Sequence, residues 1–375
     1  MIYLDYAANH PSEEAVLQRF CEAERALIGN ANSSHPAGEA SREEMERITA
    51  SIASLMGAEN AEVIYTSGAT ESNNMAIKGI ARARRHLGRH IISTPLEHAS
   101  VSASLTYLQE QGYEIDLLDI GRDGRVDLEH LKDLLREDTV LLAVTAVDSE
   151  LGTIQPLEGI KEILKSFPNC ALHVDATQAI GRVPVAFSGL DTLSLAPHKF
   201  GGLNGSGLLL KKRGLVLEPL LHGGVSTSLY RGGTPTVSLA ASVETALRLA
   251  IENREDHVQK VTELSNELKN ALSAYPKVRI NSPSDAVPHI LNLSVDGVKG
   301  TRFQSALADH GVCVSVKSAC SSDGTPSRAV FAVSRDRRNA LSSWRISLSY
   351  RTTEEEAREF LQIFDTCYYE LTDRK

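Results

Sequence analysis

In the stretch LSLAPHKFGG (193–202) an apolar run ends on His198 and Lys199 and then dissolves into glycine. An ammonium taken out of water is costly unless it is paired or neutralised. A lysine at the end of an interior strand therefore demands compensation. One form is an imine: a desolvated lysine loses its proton, becomes a nucleophile and condenses with an aldehyde. The plain alternative is a surface lysine just beyond a strand. Three further polar clusters also follow apolar runs: TSGATESNN, EHAS with His98, and HVDATQ with Asp175. In TSGATE (66–71) a glycine precedes small and hydroxyl residues at a helix start, where free N–H groups and the positive helix end suit a phosphate. The bland reading there is Thr70 as an N-cap. Asp175 closes an apolar run, so its carboxylate wants a proton or a cation, unless it merely caps a following helix.

Short apolar runs position these clusters: 62–66, 90–94, 114–119, 140–147, 171–176, 191–196 and 207–212. Helical periodicity lies between most of them, at 71–86, 99–111, 128–136 and 157–166. That alternation argues for an α/β fold with a mostly parallel central sheet flanked by helices. Runs apolar throughout suit strands buried on both faces, and ligands of such sheets bind beyond the strands' carboxyl ends. From about 235 the pattern becomes one long helical stretch reaching the early 270s. Strand-like 289–295, a helix near 301–310, strand-like 312–316, WRISLS and a closing helix from Thr353 follow. This reads as a smaller α+β C-terminal domain: a large domain over 12–255, with 1–11 and 256–375 forming the small one.

The chain has 375 residues, 42% apolar and 23% charged, an ordinary globular composition. A net charge of −9 gives no reason to expect nucleic acid binding. Five widely spaced cysteines without CxxC pairs suit free thiols in a reducing compartment rather than a metal site. The N-terminus lacks the basic and apolar regions of a signal peptide, and no run approaches the roughly 18 apolar residues of a membrane span. A cytoplasmic location, away from membranes, is the expectation.

A phosphate cradle, an acid for a pyridinium nitrogen and an imine-forming lysine are together the needs of pyridoxal 5'-phosphate (PLP). The motifs YLDYAA, GN…SSHPAG, YTSGATESNNMAIKG, LEHASV, ELGTIQPL, HVDATQAIGR, LSLAPHKFGG, RGGTPTV, SACSS and WRISLSYRTTEEE follow one another along nearly the whole chain. In them the sequence resembles the class V aminotransferase group of fold type I PLP-dependent transferases, and within it the NifS/IscS-like cysteine desulfurases.

By that resemblance Lys199 holds the cofactor and Asp175 pairs with the pyridine nitrogen. Gln178 bonds the phenolic oxygen and His98 stacks on the ring. Ala69, Thr70, His198 and Thr234 hold the phosphate, Thr234 reaching across from a second subunit, which implies a homodimer. Arg345 grips the substrate carboxylate. Cys320, in a small polar loop, is the nucleophile, whereas Cys313 reads as packing. The implied reaction takes sulfur from L-cysteine, releases L-alanine and leaves a persulfide on Cys320 for an acceptor protein. The long span from Cys320 to Arg345 resembles the IscS/NifS subgroup. Iron–sulfur clusters, thiolated tRNA, a thio-modified DNA backbone and a cofactor pathway are the destinations open to the sulfur.

The sequence departs from the family where DSE (148–150) stands for NNE, placing Ser149 at an asparagine position, and where APHK stands for SGHK, which removes a hydroxyl at Ala196. VSTSLYRGGT lacks the usual glutamate and arginine, and the tail after TTEEE is short. Lost hydrogen bonds of this kind cost roughly 0.5–1.5 kcal/mol each, enough to tune a rate. A selenocysteine lyase, another class V enzyme with Cys320 incidental, or a non-catalytic paralogue are the alternatives. The SRDRRN stretch (334–339) reads as a solvated turn, or as a dock for an acidic acceptor.

Overall fold

The computed structural model describes residues 1–317 and 325–373. Its central sheet has seven strands, in the order Ala61–Thr66, Gly207–Lys212, Thr192–Leu195, Ala171–Asp175, Thr139–Thr145, His90–Ser93 and Glu114–Leu117. Six run in one direction; Gly207–Lys212 is antiparallel to both neighbours. Connection length explains the exception. Parallel neighbours need a crossover of a dozen or more residues, usually helical, whereas residues 196–206 supply only the short 3-10 turn Pro197–Lys199. Thr139–Thr145 and Ala171–Asp175 are buried at every position, as helices on both sheet faces require.

The expected helices stand at Ala69–Ala83, Ala99–Glu110, Leu128–Leu134 and Leu157–Leu164. Two N-terminal helices, Glu14–Ala26 and Pro36–Leu55, escape the sequence reading. Pro36 at the first helical position and the buried Met45, Ile48 and Ile52 at helical spacing were the available signal. The single long helix expected after 235 is two, Val237–Glu252 and Arg254–Ser273, parted at Asn253. They serve different cores. Val237, Ala240, Val243 and Leu247 pack with the sheet's cluster, whereas Val261, Leu264, Leu268 and Leu272 join a second one.

That second cluster surrounds a three-stranded antiparallel sheet ordered Ser343–Ser347, Ile290–Val295, Val278–Ile280. Phe303 stacks on Trp344 at 5.1 Å within it, and the closing helix Glu354–Thr372 adds Phe360 and Phe364. Ile2 and Leu4 pack there as well, because Ile2–Tyr3 pairs in parallel with Val312–Cys313. The strand expected at 312–316 is thus only two residues long. Ala7, Val287 and Ala329 instead pack with the central sheet. No helix among the described residues is long and apolar enough to cross a membrane.

Candidate active site

Strand register sets the site. Thr145, Asp175 and Ser194 lie abreast at the carboxyl ends of three neighbouring parallel strands. Asp175 is buried, and both its oxygens accept N–H bonds: Oδ2 from Asn73 Nδ2 at 2.8 Å and Oδ1 from the Thr177 amide at 2.9 Å. The chain then turns rather than entering a helix, so the capping alternative for Asp175 falls away. Asn73, fully buried on the helix Ala69–Ala83, also donates to Ser100 Oγ at 2.9 Å. Its Oδ1 accepts from Ser194 Oγ and from His173 Nε2. His173 Nδ1 accepts from Thr192 Oγ1, and burial pushes this imidazole down to about 4, so it stays neutral with its proton on Nε2. The sequence reading did not single out Asn73. Its signal was an amide on the helix face that otherwise buries Met75, Ala76, Ile77 and Ile80.

His98 caps the helix Ala99–Glu110, its Nδ1 accepting from the Ser100 amide at 3.1 Å and from Ser100 Oγ at 2.8 Å. That pairing leaves the proton on Nε2. Burial pulls the His98 pKa below its usual value; Asp175 opposes the shift and Lys199 adds to it. Both groups are therefore within electrostatic reach. Lys199 is half-buried, and its Nζ donates to the carbonyls of Ala7 at 2.9 Å and Ala8 at 2.6 Å. The exposed-lysine alternative does not hold. Gln178 Nε2 donates to the same Ala7 carbonyl at 3.0 Å. Burial, aided by Lys199, pushes His198 down to about 4.

The phosphate-type loop lies at the neighbouring strand end. The helix Ala69–Ala83 starts from Gly68 at φ +154° with no side chain capping it, so Thr70 is not its N-cap. First-turn N–H groups are thereby left for another acceptor. A Cβ on Gly68 would meet open space, while one on Gly207 would lie 2.5 Å from Gly68 Cα, so Gly207 has no room for a side chain. Alongside is a cavity of about 130 Å³ walled in part by Ser67, Ser206, Gly207, Arg231 and Thr234. Thr234 is exposed in the single chain.

This donor set fits PLP. An uncapped helix start suits the phosphate, and a buried, acceptor-only carboxylate suits a protonated pyridine nitrogen. A neutral imidazole and an amine lie close by. Among the described residues no group of His, Cys, Asp and Glu is arranged to hold a metal ion.

Arg345 sits on the strand Ser343–Ser347 with its side chain 2% exposed. Nη2 pairs with Asp5 Oδ1 at 2.9 Å, Nη1 donates to the Ser149 carbonyl at 2.7 Å, and Nε has no partner among the described residues. The N-terminal segment thus braces the guanidinium against the large sheet's loops. Cys320 lies outside the described residues, and Cys313 is half-buried in its short strand. Residues 334–339 cap two short helices: Arg335 ends Arg328–Ser334 and Asp336 starts Arg337–Ser342. Arg335, Arg337 and Arg338 are exposed.

Two buried acids flank the strand ends. Among the described residues Glu97 and Asp148 each leave one oxygen without a partner, and burial pushes their pKa up to about 8 and about 7. The folded chain therefore keeps protons that the unfolded chain sheds, and stability falls as pH rises from about 4 toward about 8. Asp148→Asn retains an oxygen for the Glu150 and Leu151 amides and removes one ionisation. The variant is expected to gain on its parent by more than about 1 kcal/mol between about pH 5 and about pH 8. Urea unfolding at both pH values checks this; a difference independent of pH refutes it.

Comparison with known proteins agrees with this geometry. The family model Aminotransferase class-V matches residues 2–360. A NifS/IcsS protein homolog from Lactobacillus delbrueckii subsp. bulgaricus is 36% identical over 374 residues, covering 98% of this chain and 97% of the relative. Cysteine desulfurase IscS of Dictyoglomus turgidum is 36% identical over 369 residues, covering 97% and 93%. A solved NifS-like protein superposes with a TM-score of 0.91 at 31% identity, over 99% of both chains.

Proposed function

The chain belongs to the class V aminotransferase family, with the fold of type I PLP enzymes, and on that premise we propose that it is a PLP-dependent cysteine desulfurase. It takes sulfur from L-cysteine, releases L-alanine and leaves a persulfide on Cys320. One observation carries the reading: Lys199 Nζ is held by the Ala7 and Ala8 carbonyls at the same sheet edge where Asn73 joins Asp175 to Ser100 and thence His98.

When bound, the cofactor supplies an electron sink for the pair left on the substrate's α-carbon. Asp175 would hold the proton of the ring nitrogen, Gln178 would bond the phenolic oxygen and His98 would lie against the ring. Ala69, Thr70, His198 and Thr234 would hold the phosphate. Lys199, steered by two carbonyls, takes the α-proton and returns it. Arg345, fixed by Asp5 and Ser149, orients the substrate carboxylate. The Cys320 thiolate attacks the substrate sulfur: an S–S bond forms, the C–S bond breaks, and its electron pair passes to carbon and is protonated.

We place Thr234 in the partner's phosphate site of a homodimer. The exposed Val216, Val225 and Leu229, on the segment leading to it, support a covering partner there. The enzyme works in the cytoplasm and hands its sulfur to an acceptor protein, iron–sulfur cluster assembly being the destination suggested by the subgroup resemblance. The test is alanine and sulfide release from L-cysteine. Cys320→Ala is expected to lose at least about 100-fold in turnover, the scale of removing a nucleophile, while keeping its PLP. Undiminished turnover by the variant rejects the persulfide route.

A further inference from the structure

A second cavity, of about 250 Å³, shares Lys199 with the site above but not Asp175, His98, Gln178 or Arg345. Arg182, on the turn beyond Gln178, lines it with its side chain almost entirely buried. Its Nη1 donates to the backbone and side-chain oxygens of Gln178; Nε and Nη2 have no partner among the described residues. Among the described residues no carboxylate pairs with this guanidinium, and Arg345 nearby only adds to the strain of burial. His289, 7% exposed, lines the same cavity, and its Nδ1 has no partner among the described residues. Glu13 at the wall is already committed to Arg351 at 2.7 Å and to Tyr350. His10 is likewise satisfied, by the Pro11 carbonyl and Ser349 Oγ.

A buried cation without a counter-ion is costly, and a planar guanidinium with two unused N–H faces suits a bidentate anion. We propose that this cavity binds a small carboxylate or oxyanion, of up to amino-acid size, seated on Arg182 and His289. The site is coupled to the lysine. Gln178 Oε1 accepts from Arg182 while its Nε2 bonds the Ala7 carbonyl, which also receives Lys199. An anion drawing on Arg182 thus loads or unloads the amide that shares Lys199's acceptor.

Sodium acetate and sodium sulfate, titrated separately into the purified PLP-loaded enzyme at fixed ionic strength in chloride-free buffer, test the site by calorimetry. Saturable binding of at least one anion is expected. It should weaken at least tenfold, about 1.4 kcal/mol, in Arg182→Met and measurably in His289→Leu, which alters a separate element. The tighter anion distinguishes a carboxylate from an oxyanion ligand. Absence of saturable binding, or affinity unchanged in His289→Leu and in a folded Arg182→Met, overturns the proposal. Melting temperatures in anion-free buffer establish folding. If Arg182→Met does not fold, His289→Leu decides alone.

Discussion

Replacing Lys199 by alanine is expected to lower turnover of L-cysteine by at least about 1,000-fold, with the fold intact. A positioned proton-transfer group alone contributes about 10²–10⁴-fold, and the covalent hold on the cofactor disappears with it. Stability should change little. The Ala7 carbonyl keeps the Gln178 amide as a donor, so mainly the Ala8 carbonyl loses its partner, a cost of about 1 kcal/mol. Borohydride reduction followed by mass spectrometry provides a readout independent of rate. The parent should gain a pyridoxyl group on Lys199, and the variant should gain none. A variant within tenfold of the parent rate would remove Lys199 from the chemistry.

Asp175→Asn is expected to cost about 100-fold or more in turnover and to destabilise the protein as well. In the parent both carboxylate oxygens accept N–H bonds, from Asn73 and Thr177. An amide offers one acceptor, so one of those contacts must become donor against donor. An unsatisfied buried donor costs about 1–3 kcal/mol. The catalytic loss has a different origin: an amide cannot hold the proton of the ring nitrogen as a carboxylate does. Turnover under saturating PLP, set beside thermal unfolding with and without the cofactor, separates the two effects. A variant that is destabilised but fully active would leave Asp175 as a purely structural residue.

Several elements were legible because their signals are local. The run 171–176 is mostly apolar and ends beside Asp175, and the strand Ala171–Asp175 is buried at every position. TSGATE carries its glycine at the helix start, where Gly68 takes a φ that favours glycine. The break at Asn253 was not legible. Helical periodicity continues through it, and only the packed chain shows the apolar faces divided between two cores. The assignment of Arg345 came from a motif, but its bracing by Asp5 joins residues 340 positions apart.

By itself, then, the chain's residue order settled the strand and helix alternation, the strand-end placement of His98, Asp175 and Lys199, and the family. Those depend on periodicity and on motifs a few residues long. Only the tertiary structure decided that Asn73 links Asp175 to Ser100, that the Ala7 and Ala8 carbonyls hold Lys199, and that Arg182 is buried without a counter-ion. The physical reason is that each depends on strand register and on the return of the N-terminal segment across the sheet edge. Such contacts join positions up to 192 residues apart, and no local pattern along the chain encodes which of its polar groups will meet.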